Sequence, residues 1–342
     1  MYKMKSTNYI ISMLIFCFYC SIVAQESAPQ QENFYNKSLH YTNKGIEFIY
    51  SKEQGGLERL TGLSVVQMNC LKSKCHVSTC DECHKKEIDG KAYYSLEQAK
   101  TEEACQRCHP VEKDDPDIHF SKGMKCMDCH SSREIHGDGI EHQTYMEPGF
   151  FDTRCENCHD SLSQSLSHKV HKGKLDCTPC HVREMVTCVN CHIETRLNTG
   201  KDASVLLNNM FFLVNHDGRV KLANFLSYVY GNKTMITLAP AFPHSIKKEG
   251  RKCPECHNSQ IVKNMKKNTF KPFWWGKDTV MNVQGVIPVL EDMKWNIVYL
   301  TRKDGKWMPL EKPEKPLINF SGYCTPLNQT QFDKLVSVGG GK

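Results

Sequence analysis

The sequence predicts an irregular fold of mainly short α-helices and loops packed around covalently attached groups, with a small C-terminal β-sheet region. Three observations predict it. Seven segments repeat one pattern, two cysteines three apart with histidine directly after the second. Most of these crowd between residues 70 and 192, too tightly for a conventional side-chain core to form between them. Beyond residue 192 the texture changes to apolar runs flanking Asp-Gly pairs, the signature of hairpins.

Taken in order, residues 1–24 carry Lys3 and Lys5, an apolar run and Ala24 before Gln25 and Glu26, and read as a cleavable secretory signal. A retained anchor is the rival, but the run is short for a spanning helix. Cys17 and Cys20 fall in this segment, each after an aromatic residue where a lipoprotein signal has a small one. Residues 25–66 form an N-terminal arm, 67–196 the motif-rich domain, and 197–342 the β-containing region. The composition, 39% hydrophobic and 24% charged, suits a folded chain, and the formal charge of +6 is no nucleic-acid signature.

The repeated pattern is borne by Cys80, Cys83 and His84; Cys105, Cys108 and His109; Cys126, Cys129 and His130; Cys155, Cys158 and His159; Cys177, Cys180 and His181; Cys188, Cys191 and His192; and Cys253, Cys256 and His257. Two thiols at this spacing can each form a thioether with one vinyl group of a single porphyrin. The adjacent histidine then reaches the iron as proximal ligand. An eighth segment, Cys70, Cys75 and His76, has the same grammar with four residues between the thiols. Zinc is the rival, since the Cys177–Cys180 and Cys188–Cys191 pairs would suit a thiolate knuckle. A zinc ribbon, however, has no need of histidine after every pair.

On these motifs the chain resembles the multihaem c-type cytochromes, of the octahaem type. The resemblance implies a multihaem cytochrome c fold with eight haem c groups, seven in residues 67–196 and the eighth beyond. The motifs span just over half the chain and are far more specific for haem attachment than for any subfamily. Eight pairs of propionates would make the loaded protein acidic.

The histidine count separates carrier from enzyme. Of sixteen histidines, eight follow motif cysteines and eight remain: His40, His119, His136, His142, His168, His171, His216 and His244. The totals match one distal ligand per iron, with His40 the most remote, ahead of every motif. His119 and His171 shortly precede motif cysteines and His136 shortly follows His130, where sixth ligands are expected. Two imidazoles leave iron no open position, which favours outer-sphere electron transfer over catalysis. Met124, Met127 and Met146 are read as packing against porphyrin faces.

Ser95 with Gln98 has the form of a capping box whose helix delivers Cys105 to His109. Hairpins are expected about Asp217-Gly218 and Asp304-Gly305, and a last helix after Thr325-Pro326. Phe273, Trp274 and Trp275 read as core or docking face, and Cys324 is left without a motif partner. The expected function is electron carriage in the periplasm or at the outer cell surface, from a quinol-oxidising membrane complex to other cytochromes or another acceptor. Membrane association would come through partners, no nucleic acid is involved, and an oligomer or filament stays open. The alternative is a reductase of nitrite, hydroxylamine, sulfite or tetrathionate with one open haem.

Overall fold

The computed structural model describes residues 34–42, 44–68, 77–109 and 117–337. The secretory segment, the Cys70, Cys75 and His76 motif and the Gly-rich tail therefore lie outside the described residues.

A six-stranded sheet occupies the C-terminal part. Its strands are β1 (Cys191–His192), β2 (Met210–His216), β3 (Arg219–Tyr230), β4 (Lys233–Pro240), β5 (Gly285–Pro288) and β6 (Leu317–Phe320). The central order is β5-β2-β3-β4-β6, with β1 parallel to the far end of β3. Antiparallel hairpins join β2 to β3 and β3 to β4, while β5 and β6 add in parallel at the two edges.

The first hairpin turns at Asp217 (φ 50°) and Gly218 (φ 71°), the pair of left-handed residues that a twisted two-residue loop requires. The second expected hairpin pairs Leu300–Lys303 with Lys306–Pro309 about Asp304 and Gly305. Trp295, five residues ahead of it, packs on the Phe212 and Phe225 rings of the core.

The sheet is not small, as expected from the sequence, but is the main core of the molecule. Met210 to Val214 are all buried, a continuous apolar run rather than an alternating one, because both faces of β2 are covered. One face holds Phe212, Phe225, Ile236, Leu238, Phe273 and Ile287. The other holds Phe211, Leu213 and Leu222, closed by Val182, Met185 and Leu327. Phe273 is thus core, whereas Trp274 is 39% exposed. Cys324 is buried, its thiol donating towards the Leu238 carbonyl at 3.4 Å, and burial pushes it up to about 12, out of range of thiol chemistry.

The motif-bearing part has a different texture, of single helical turns and loops. Ser95 caps only Leu96–Ala99; the turn that delivers Cys105 is a separate one, Glu102–Gln106, capped by Thr101. The last helix is Gln329–Ser337, beginning three residues after Pro326. Large apolar side chains here stay exposed, Leu96 at 68% and Leu166 at 73%. Among the described residues no helix is long and apolar enough to cross a membrane.

Candidate haem sites

Six of the seven described motifs share one local structure. In each, the histidine N–H donates to the carbonyl of the first cysteine, from His84 to Cys80 through His257 to Cys253, at 2.8 to 3.0 Å. That closed turn sets the first cysteine, the second and the histidine at i, i+3 and i+4, on one side of the backbone. The intervening residues help to form it. The Asp128 carboxylate accepts from Lys125 N–H and that of Glu255 from Lys252 N–H, each at 2.7 Å, capping the turns that carry Cys126 and Cys253.

Each of those six proximal histidines faces one distal candidate. Ring centroids lie 6.1 Å apart for His84 and His136, 6.1 Å for His109 and His40, 6.3 Å for His130 and His244, 6.1 Å for His159 and His119, 6.2 Å for His181 and His168, and 6.0 Å for His257 and His171. Two imidazoles held by one metal through bonds of about 2 Å have centroids about 6 Å apart. The six pairs therefore fit an iron between them.

Ring protonation agrees with this. His181, His257 and His171 place Nδ1 2.9, 3.0 and 2.9 Å from the carbonyls of Lys247, Lys334 and Ser167. A carbonyl can only accept, so Nδ1 carries the proton and the Nε2 lone pair is left for a metal. Burial, then the facing His109, lowers His40 to about 4, which keeps it the neutral imidazole a ligand must be.

Pairing ignores sequence proximity. His119, His136 and His171 each lie beside one motif and serve another. Helix Leu166–His171, capped by Ser165, presents His168 and His171 three residues apart on one face, towards His181 and His257. His40, the most remote in sequence, is brought to His109 by the N-terminal arm, where the Tyr145 hydroxyl lies 2.7 Å from its Nδ1.

The attachment cysteines form a row in chain order. Cys83 neighbours Cys108, and Cys105 neighbours Cys126. Cys129 neighbours Cys158, Cys155 is hydrogen-bonded to Cys177, and Cys180 neighbours Cys253 and Cys256. Arg251 fastens the far end to the sheet: its guanidinium donates to the carbonyls of Pro179 and Val182 and stacks 3.8 Å over Phe211.

The Cys188, Cys191 and His192 segment is built differently. It is extended, with Val186–Val189 a strand, Asn190 at φ 56° and His192 N–H bonded to Ala203 instead of Cys188. Cys188 pairs with Leu206 in a hairpin, while Cys191 pairs with Tyr228 of β3 and packs on the cluster of Leu57, Met68 and Ile193. The Thr195 hydroxyl and N–H lie 3.0 and 3.3 Å from His192 Nδ1, and the Thr301 hydroxyl sits 3.5 Å from its Nε2. The facing ring is that of Trp307, not a histidine.

Two distal candidates also stand apart. His142 lies between carboxylates, Nδ1 2.7 Å from Glu147 and Nε2 3.2 Å from Asp138. His216 is buried and donates from Nε2 to the Met146 carbonyl at 2.8 Å. Met146 thus takes part through its backbone, a role that no sequence signal marks.

Comparison with known proteins gives one coarse result. A stretch of 83 residues is 28% identical to cytochrome c-552 of Haemophilus ducreyi, covering 23% of this chain and 16% of that protein. The likeness supports a c-type cytochrome with haem c as its cofactor. No family model and no solved structure matches.

Proposed function

We propose that this chain is an exported electron carrier in which haem c groups, each held between two imidazoles, form one row from Cys80 to Cys256. The six facing histidine pairs at 6.0 to 6.3 Å carry this reading. Haem c supplies reversible one-electron exchange between ferric and ferrous iron. The polypeptide fills both axial positions and so denies them to substrate. It also joins successive attachment turns through neighbouring cysteines, which keeps adjacent macrocycles close.

Exposed Leu96, Leu166 and Val170 beside the turns supply apolar surface for macrocycle faces. The donor we infer is a quinol-oxidising membrane complex, and the acceptor another cytochrome, in the periplasm or at the outer cell surface. The count of eight required both the Cys70, Cys75 and His76 motif and the Cys188, Cys191 and His192 motif. The first lies outside the described residues and would add a seventh haem; the second lacks the closed turn that the six others share.

Spin state tests the reading. Electron paramagnetic resonance of the matured protein is expected to show low-spin ferric haem at every described site. His244→Ala, which removes one facing imidazole, should convert a single haem to high spin. A wild-type sample with a stoichiometric high-spin haem that turns over nitrite, hydroxylamine, sulfite or tetrathionate would make it a reductase instead. A colourless matured protein would end the haem reading.

A further inference from the structure

We propose that Glu134 and Asp117 lower the reduction potentials of the two middle haems of the six described, those at Cys126–Cys129 and Cys155–Cys158. The inference rests on the haem reading above and adds an energy profile to it. His130, proximal at the third position, has Nδ1 2.8 Å from Glu134 Oε2. His119, distal at the fourth, has Nδ1 3.1 Å from Asp117 Oδ1. Both acidic side chains are almost wholly buried, at 3% and 4% exposure.

They are also pinned. Glu134 accepts from the Thr153 N–H at 2.7 Å and the Thr153 hydroxyl at 2.9 Å, and caps its own helix through Ser131. Asp117 accepts from the His119 N–H at 2.7 Å and the Ile246 N–H at 3.0 Å. Neither carboxylate can swing away without leaving buried N–H groups unpaired.

At four other ligands of the row Nδ1 meets a weaker partner. His181, His257 and His171 donate to carbonyls, and His40 faces the Tyr145 hydroxyl. A carboxylate draws the Nδ1 proton further towards itself than a carbonyl does, so the imidazole becomes a stronger donor to the metal. Stronger donation and a nearby buried negative group both favour ferric iron, and the potential falls. Among the described residues, the third and fourth of the six sites are the two with a carboxylate at a ligand Nδ1. Electrons then reside on the two positions at either end and cross the middle pair without resting there.

Redox titration of the full-length matured protein, followed optically and by electron paramagnetic resonance, tests this in Glu134→Gln and Asp117→Asn. Two components of lowest potential are expected in the wild type. Each variant should raise one of them by a tenfold shift in the ferric–ferrous equilibrium, about 59 mV, and alter the g values of that haem alone. The two sites lie on separate elements, so Asp117→Asn carries the test even where Glu134→Gln fails to mature. Variants with full haem content, low-spin spectra and unmoved potentials would overturn the inference. A haem-free wild type would instead overturn the reading beneath it.

Discussion

A histidine in this chain declares its role by what its second nitrogen touches. Where Nδ1 donates to a carbonyl, as in His181 and His257, Nε2 is free to ligate. In His192, the same residue type in the same motif, Nδ1 instead meets the N–H and hydroxyl of Thr195, and Nε2 the Thr301 hydroxyl. His142 has a third role. Against the cost of burial, which acts on all three groups, hydrogen bonds to Glu147 and Asp138 raise it above its ordinary value of 6.5; the Ile140 N–H on Asp138 and the same histidine bonds hold both acids below their ordinary 4.5 and 3.8. The histidine's share of stability is complete below 6.5 and is lost as pH rises through its raised value, whereas the acids' share is complete above 4.5 and is lost as pH falls through their lowered values. The cluster therefore holds the segment best between those limits. His142→Gln should cost about 1 kcal/mol near pH 5.5 and clearly less near pH 8.5 in denaturant titrations. An equal cost at both pH values would show that the loss is one of packing.

At the scale of elements, the difference between a turn and a strand decides what a motif can hold. A closed turn keeps two cysteines three residues apart on one side, while an extended chain sends them to opposite faces. Cys188 and Cys191 illustrate the second case, split between a hairpin and the main sheet. Cys188→Ser with Cys191→Ser is expected to leave the haem-to-protein mass ratio of the matured protein unchanged, whereas Cys177→Ser with Cys180→Ser should remove one haem. Loss of one haem from the first variant would return the segment to the haem-bearing set. A close packing of elements also limits change at Gly322, whose φ is 63° and where an added Cβ would fall 2.3 Å from the Met146 sulfur. Gly322→Ala should destabilise by about 1–3 kcal/mol in thermal or denaturant unfolding. The six attachment turns were legible from spacing because the chemistry demands that spacing. The seventh has the same spacing on an extended chain, because Cys188 and Cys191 pair as strand with Leu206 and Tyr228.

The whole molecule divides into a part with its own core and a part without one. Phe212, Phe225 and Leu238 are 0 to 1% exposed within the sheet, while Leu96 and Leu166 stand largely open beside the attachment turns. A chain whose six turn-forming motifs carry serine for cysteine should keep slow amide exchange in β2, β3 and β4. Residues 77–176 should then exchange at rates near those of an open chain, since cofactor attachment supplies their missing core. Equal protection in both parts would show that the turns fold without it.

The sequence by itself determined the chemistry: cysteine and histidine at fixed short spacings, enough further histidines for a second ligand, and turns about Asp-Gly pairs. All of these are local, set by covalent reach and backbone preference. Tertiary structure alone decided that His40 meets His109, that one short helix serves two sites, and that β5 and β6 join the sheet in parallel from far along the chain. Those outcomes depend on side chains distant in sequence being buried together, and no local pattern encodes the energy of such packing.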